Sequence, residues 1–239
     1  MNASINEKRL LEVWELLDRW HQDCGVGAIS AEVGNERDAS DSYVAGFDDL
    51  NRSIPVDANS RYLIASPTKP FIAVAAMILV EKGQLQVSDR VSKYIPAFAD
   101  QGKSEIRIAH LLTHTSGLTY SQDVTGREEV AEIYAELGIF PIDERTTDGL
   151  DDLSDHVEAL AQLPLVSHPG ERFVYSVSID VLGRVLEIVR GTNLSEIIDE
   201  LVLAPLEMKS TFFKVPQSEQ ARLAQMYRPR VATYPIPGK

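Results

Sequence analysis

The chain has 239 residues, of which 44% are apolar and 25% charged. Those fractions exclude disordered, collagen-like and disulfide-scaffold classes, and at this length about 70–75% of the unfolded surface can be buried without a metal or disulfide staple. Lys and Arg number 23 against 36 Asp and Glu, a net charge of −13, so the surface repels phosphate backbones and nucleic acid is not an expected partner.

Leu10, Val13, Trp14, Leu17 and Trp20 recur at helical spacing and predict an amphipathic helix over residues 5–20, with both tryptophans in the core. Acids interrupt this segment, so it does not read as a secretory signal. Cys24 is the sole cysteine, which excludes an intramolecular disulfide and reads as a small packed residue. Runs 26–33 and 42–47 alternate like strands around the polar cluster GNERDASD and predict a hairpin. Residues 61–65 (RYLIA) predict a short strand leading into Ser66. An apolar helix follows over 71–82 and ends at Gly83. Its apolar run, 71–80, is ten residues, against about 20 for a membrane span. No membrane partner is expected, and a cytoplasmic protein fits these features.

Downstream, strand signals become scarce. Residues 106–114 and 128–137 look helical. The stretch 142–155 carries six Asp or Glu against one Arg and reads as a solvated loop leading into a helix from about Ser154. Amphipathic helices are predicted over 181–189 and 194–203, separated by Gly191. This order predicts an α/β layer followed by a helical region.

The chemistry concentrates at Ser66-Pro67-Thr68-Lys69. Residues three apart share one helix face with Cβ atoms about 5–6 Å apart, so the Lys69 amine can reach the Ser66 hydroxyl. Ser66 suits an N-cap and Pro67 the first helical position. A helix N-terminus offers free N–H groups that can stabilise an oxyanion. Its field, with burial, is expected to lower the lysine pKa, so that a neutral amine takes the serine proton. Taken alone, Ser-x-x-Lys is equally an N-cap serine beside a surface lysine.

Three separated segments give the tetrapeptide its context: RYLIASPTKPFIAVAAMILVEKGQLQVSDRVSKYIPAF, IRIAHLLTHTSGL and HPGERFVYSVSIDVLGRVLEIVRGTNLSEIIDELVLAPLEMKST. In this order they resemble the serine β-lactamase-like superfamily, which contains class C β-lactamases, DD-peptidases and family VIII carboxylesterases. The resemblance runs from about Val26 to about Phe213. It implies an α+β fold of β-lactamase/transpeptidase type, an antiparallel sheet flanked by helices with an inserted, mostly helical region. It also implies Ser66 as the acylated nucleophile, Lys69 as its partner in proton transfer, and Tyr175 as a general base or acid shared with that lysine.

Two departures refine the resemblance. β-Lactamases and DD-peptidases usually carry asparagine two residues after this tyrosine, as a donor to the substrate amide. Val177 stands there, in a form that resembles the esterase branch and marks Val177 as a substrate-binding position suited to esters. The family's third motif, Lys-Thr-Gly or His/Trp-x-Gly on a C-terminal strand, finds no match after Phe213. The chain is therefore expected to be truncated. Residues 1–82 would be the N-terminal part of the α/β domain, 83–214 the mostly helical region, and 215–239 a tail leading toward absent strands.

Other candidates carry less. His114 in THTSGL reads as a hydrogen-bonded packing residue, and Ser116 lacks the glycine elbow of α/β-hydrolases. Gly25-Val26-Gly27 precedes a strand, so it is no dinucleotide loop. His21, His110, His156 and His168 show no metal-ligand spacing, so neither metal nor cofactor is expected. Three functions follow. The leading one is an ester-cleaving serine hydrolase working through an acyl-enzyme. The others are a β-lactamase or D-amino-acid peptidase, and a catalytically silent binding protein of the same fold. The oligomeric state is not readable from the sequence.

Overall fold

The computed structural model describes residues 6–23, 26–34, 41–49, 51, 53–120, 130, 132–134 and 153–225. They fall into two compact units, one from residues 1–65 with 212–239, the other from 66–211. Cys24, the hairpin turn and most of the acidic 142–155 stretch lie outside the described residues.

The first unit begins with helix α1 (Glu7–Asp23). Strands β1 (Ala28–Val33) and β2 (Asp41–Gly46) pair antiparallel from Ala28 opposite Gly46 to Val33 opposite Asp41, as the alternation predicts. The α1 stripe buries less than its periodicity implies. Of its five apolar residues only Leu10 is buried. Trp14 is half-buried and stacks on Tyr43 of β2 at 5.4 Å, while Trp20 is 39% exposed and so is not a core residue. A two-stranded sheet is narrow, and one indole covers the surface it offers. Tyr43 donates a hydrogen bond to Asp18, which ties α1 to β2.

The expected strand at 61–65 is reduced to one bridging residue. Arg61 pairs parallel with Leu223, its N–H donating to the Arg222 carbonyl at 2.7 Å and its own carbonyl accepting from Ala224. Its guanidinium sits 3.0 Å from Glu219. Tyr62, Leu63 and Ile64 stay exposed and have no ladder partner among the described residues, which is why no strand propagates.

The second unit holds a continuous core. Helix α2 (Thr68–Glu81) buries Ile72, Ala75, Ala76 and Leu79, the i, i+3, i+4, i+7 stripe of one face. Lys82 caps it and Gly83 turns the chain away at φ +70°. Short 3₁₀ turns at Val91–Lys93 and Pro96–Ala99 lead to helix α3 (Ile108–Leu112), shorter than its pattern suggests. Helix α4 (Leu153–Ala161) starts where Ser154 predicts. Helix α5 (Ser178–Arg190) is the centre of the unit, packing against α2, α3 and α4 and burying Val181, Leu182, Val185 and Leu186. Gly191 closes it in the left-handed conformation, where its lack of a Cβ is needed.

The predicted 194–203 helix is α6 (Leu194–Ile198), continued by a π turn at Asp199–Leu203. Each fully buried leucine here, such as Leu79 or Leu182, is stabilising by about 1.5–3 kcal/mol.

The loop after α3 is zipped along residues 166–178. Gly117 accepts from the Val166 N–H at 2.9 Å, Thr115 from Gly170 at 2.7 Å and His114 from Val174 at 2.8 Å. Ser116 and Ser178 exchange a hydroxyl hydrogen bond at 2.7 Å. Gly117 has φ +84°, and a Cβ placed on it would stand 2.2 Å from the Ser167 carbonyl oxygen. Lys103 is fully buried, its ammonium donating to the Leu163 carbonyl at 2.5 Å. No described helix is long and apolar enough to cross a membrane.

Candidate active site

Ser66 sits in a turn just ahead of α2, and Pro67 occupies the cap position with φ −55°. The serine therefore stands one step further out than an N-cap, and no side-chain cap bond forms. Its carbonyl accepts the Lys69 N–H at 2.9 Å, which starts the first turn. Ala65, immediately before it, adopts φ +47°, a strained conformation for a residue with a Cβ, and this bend sets the direction of Ser66. The Lys69 ammonium donates to the Ser66 Oγ at 3.3 Å, the contact that three-residue spacing predicts.

Tyr175 reaches the pair from the segment that feeds α5. The Lys69 Nζ lies 4.9 Å from its ring centre. The phenol is hydrogen-bonded with Lys69, Ser66 and Tyr120. Burial alone would raise the Tyr175 pKa, but the hydrogen bonds to Lys69 and Ser66, and the lysine charge, outweigh it and bring the phenol below its ordinary value.

Lys69 moves the other way. Burial disfavours its charge, yet the hydrogen bonds to Tyr175 and Tyr120 prevail and hold the ammonium above its usual pKa. The expectation of a neutral lysine base is thus corrected. Two phenol oxygens around one ammonium stabilise the cation more than partial burial penalises it.

Sequence reasoning missed two participants. Tyr120 stands six residues beyond His114 in the zipped loop. Its ring centre is 5.7 Å from that of Tyr175 and 5.9 Å from the Lys69 Nζ. Burial pushes Tyr120 up despite the nearby lysine, so it remains a neutral phenol that can donate to Tyr175. Asp180, in the first turn of α5, is the second. Burial raises its carboxyl, while the charges of His156 and Lys69 pull the other way. A hydrophilic residue after THTSG and an acid in a first helical turn carry no signal by spacing.

Val177 turns inward. It caps α5 and is fully buried among the core residues. A fully buried side chain offers no surface to a substrate, so Val177 is not the substrate-contacting position expected from the sequence. His114 lies beside Tyr175 with ring centres 4.8 Å apart. Burial first, and the lysine charge second, lower its pKa, so it is neutral. Phe173 meets the other side of that imidazole edge-on at 5.9 Å. Among the described residues no group of three or more His, Cys, Asp or Glu is placed to hold a metal ion.

The same arrangement of segments is found in known proteins. The chain is 35% identical over 203 residues to Esterase EstB of Burkholderia gladioli, an alignment covering 82% of this chain and 49% of EstB. It is 36% identical over 198 residues to Protein Rv1367c of Mycobacterium tuberculosis, covering 77% of this chain and 46% of that protein. Among solved structures, EstCE1, a hydrolase with promiscuous acyltransferase activity, superposes with a TM-score of 0.80 at 31% identity, over 96% of this chain and 59% of EstCE1. A class C beta-lactamase superposes with a TM-score of 0.72 at 21% identity, a likeness of fold. The chain spans about half the length of the curated relatives it matches. Its fold is of the β-lactamase/transpeptidase type, as the resemblance of those segments implies. The Beta-lactamase family profile matches residues 16–238, and the chain belongs to that family.

Proposed function

We propose that the protein is a serine hydrolase that cleaves carboxylic esters through an acyl-enzyme on Ser66. The observation that carries this reading is the three-way contact of Ser66, Lys69 and Tyr175, in which the phenol is made more acidic and the lysine is kept cationic. Likeness to EstB and EstCE1 supports the ester as substrate class.

The reaction follows from those charges. Tyr175, as phenolate beside the Lys69 ammonium, accepts the Ser66 proton while Oγ bonds to the ester carbonyl carbon. The carbonyl electron pair moves onto oxygen, where a backbone N–H at the amino end of α2 is suited to receive it. When the pair returns, the bond to the alkoxy oxygen breaks and Tyr175 gives its proton to the departing alcohol. Water then repeats the sequence, losing a proton to Tyr175, attacking the acyl carbon and releasing Ser66. Lys69 keeps its proton throughout and stabilises each phenolate.

A phosphonate or activated ester should label the complete gene product once, at Ser66, as read by mass spectrometry of the peptide. Label on Ser116, or none on folded protein, removes the reading. Comparing kcat/KM for short aryl esters with that for penicillins and cephalosporins decides the substrate class. Efficient lactam turnover would replace the esterase with a β-lactamase or D-amino-acid peptidase.

A further inference from the structure

We propose that His114 is a positioning residue for Tyr175, a latch that holds the phenol against Ser66 and Lys69 only while its Nδ1 is unprotonated. The inference rests on the ester-hydrolase reading for its kinetic consequence, and on the geometry for the latch itself.

His114 grips the chain on both sides of Tyr175. Its backbone carbonyl accepts the Val174 N–H at 2.8 Å. Its Nδ1 lies 3.2 Å from the Ser176 nitrogen and accepts that N–H. Between these two bonds the imidazole face backs the Tyr175 ring. The side chains of the gripped segment alternate between solvent and core. Phe173 and Tyr175 are 67% and 39% exposed, whereas Val174 and Ser176 are buried. Fixing the two inward residues therefore fixes the direction of the outward phenol. The side chain of Ser176 is itself engaged with Ser178 at 2.7 Å, so the segment is tied to the start of α5 as well.

The backbone of His114 is unusual in the way a latch requires. Its φ is +53°, a conformation disfavoured for residues with a Cβ, with asparagine among the better tolerated. The cost of that turn is offset by the two hydrogen bonds it makes available. A backbone N–H is always a donor, so the Nδ1 facing Ser176 carries no proton, and the neutral ring bears its hydrogen on Nε2. Protonating Nδ1 would set it donor to donor against the Ser176 N–H at 3.2 Å and leave it only the more distant Ser176 Oγ, at 3.4 Å, as acceptor.

Among the described residues, Lys69 from α2 and Tyr175 from the segment before α5 are the ionisable groups set against this ring, and the lysine charge adds to burial in opposing its protonation. Phe173, on the same segment, is uncharged. His110 of α3 is turned to its own helix start, accepting from the Arg107 N–H. Arg172 is held by the Val166 carbonyl, and the Asp180 carboxylate of α5 acts on Lys69 and Tyr120. The latch is therefore closed at neutral pH and opens below the ordinary histidine range.

The test compares His114→Asn, His114→Gln and His114→Ala. Asparagine places a carbonyl oxygen near the Nδ1 position and tolerates positive φ. Glutamine reaches toward Nε2 instead. In the complete gene product, His114→Ala and His114→Gln should lower kcat for a short aryl ester roughly 10- to 100-fold with KM changed little. His114→Asn should recover most of that loss. Below the histidine titration the wild-type kcat/KM should fall with an extra proton of dependence that His114→Asn lacks.

Nitrogen-resolved NMR of the His114 ring should find Nδ1 unprotonated at neutral pH. The near-ultraviolet phenolate titration of Tyr175, read as the difference from Tyr175→Phe, should move upward in His114→Ala but not in His114→Asn. A proton on Nδ1, or equal impairment of all three variants with an unaltered acid limb, would overturn the latch. If the wild-type protein hydrolyses no ester, the functional reading fails, and the NMR and Tyr175 titration still decide the role of His114. Should His114→Ala not fold, the contrast between Asn and Gln decides it.

Discussion

The two units of the chain differ in how well they cover their own apolar residues. Residues 66–211 contain the continuous core of the described residues, from Ile72 to Leu203, together with Ser66, Lys69, Tyr120 and Tyr175. The unit from 1–65 and 212–239 buries only Leu10, Val56 and Ala224 among its described apolar residues, and leaves Leu11, Trp20, Ile54 and Leu63 exposed. Both units carry helices with a periodic apolar face. Periodicity sets which face an element could bury, whereas burial needs a second surface wide enough to receive it. Helix α5 meets four helices, but α1 meets two strands.

The largest expected contrast is chemical. Lys69→Ala and Tyr175→Phe should each lower kcat about 10²-fold or more, because in the proposed mechanism Tyr175 relays the Ser66 proton and the Lys69 charge stabilises the phenolate. Steady-state ester hydrolysis by the complete gene product measures this. A loss under tenfold in both would separate the chemistry from the unit that holds the core.

Stability should follow the same division. Leu79→Ala and Leu182→Ala remove fully buried side chains and should each cost about 2–5 kcal/mol in chemical denaturation. Leu10→Ala, the one buried position of the α1 stripe and outside the continuous core, should fall below about 2 kcal/mol. Equal costs would mean that the first unit is as cohesive as the second.

Lys103 sharpens the comparison through pH. Burial lowers its pKa from 10.5 to about 8. Between those values the unfolded chain keeps a proton that the folded chain has released, so this group makes stability rise as pH rises. Denaturation midpoints should show that rise between about pH 8 and 10 in the wild-type protein and lose it in Lys103→Met. The smallest effect belongs to the first unit. Trp20→Ser should cost less than Leu10→Ala, since the side chain is already 39% exposed and fills no core site.

What could be read from the sequence divides along physical lines. Ser66 and Lys69 were legible because helical spacing alone brings residues three apart together. The hairpin was legible because alternation and a polar turn are local. Tyr175 lies more than a hundred residues from Ser66, and only the resemblance of several segments in order linked them. Tyr120 and Asp180 were illegible because their roles arise from where α3's loop and α5 pack, which no spacing records. The direction of the Lys69 pKa was missed for the same reason. Burial is visible in an apolar sequence context, but the two phenols that outweigh it arrive from elsewhere in the chain. The π turn at Asp199–Leu203 likewise has no mark in a pattern that reads as uninterrupted helix.

Gly117 changes how a mutational scan of this protein would have to be interpreted. A side chain there would collide with the Ser167 carbonyl oxygen, and the φ of +84° would resist it even with the space cleared. In a screen scored by turnover, every replacement at 117 would rank with those at Ser66, and the glycine would be mistaken for part of the chemistry. Scoring abundance beside turnover separates the two. Variants at Ser66 would accumulate as inert protein, whereas those at 117 would disappear from the cell.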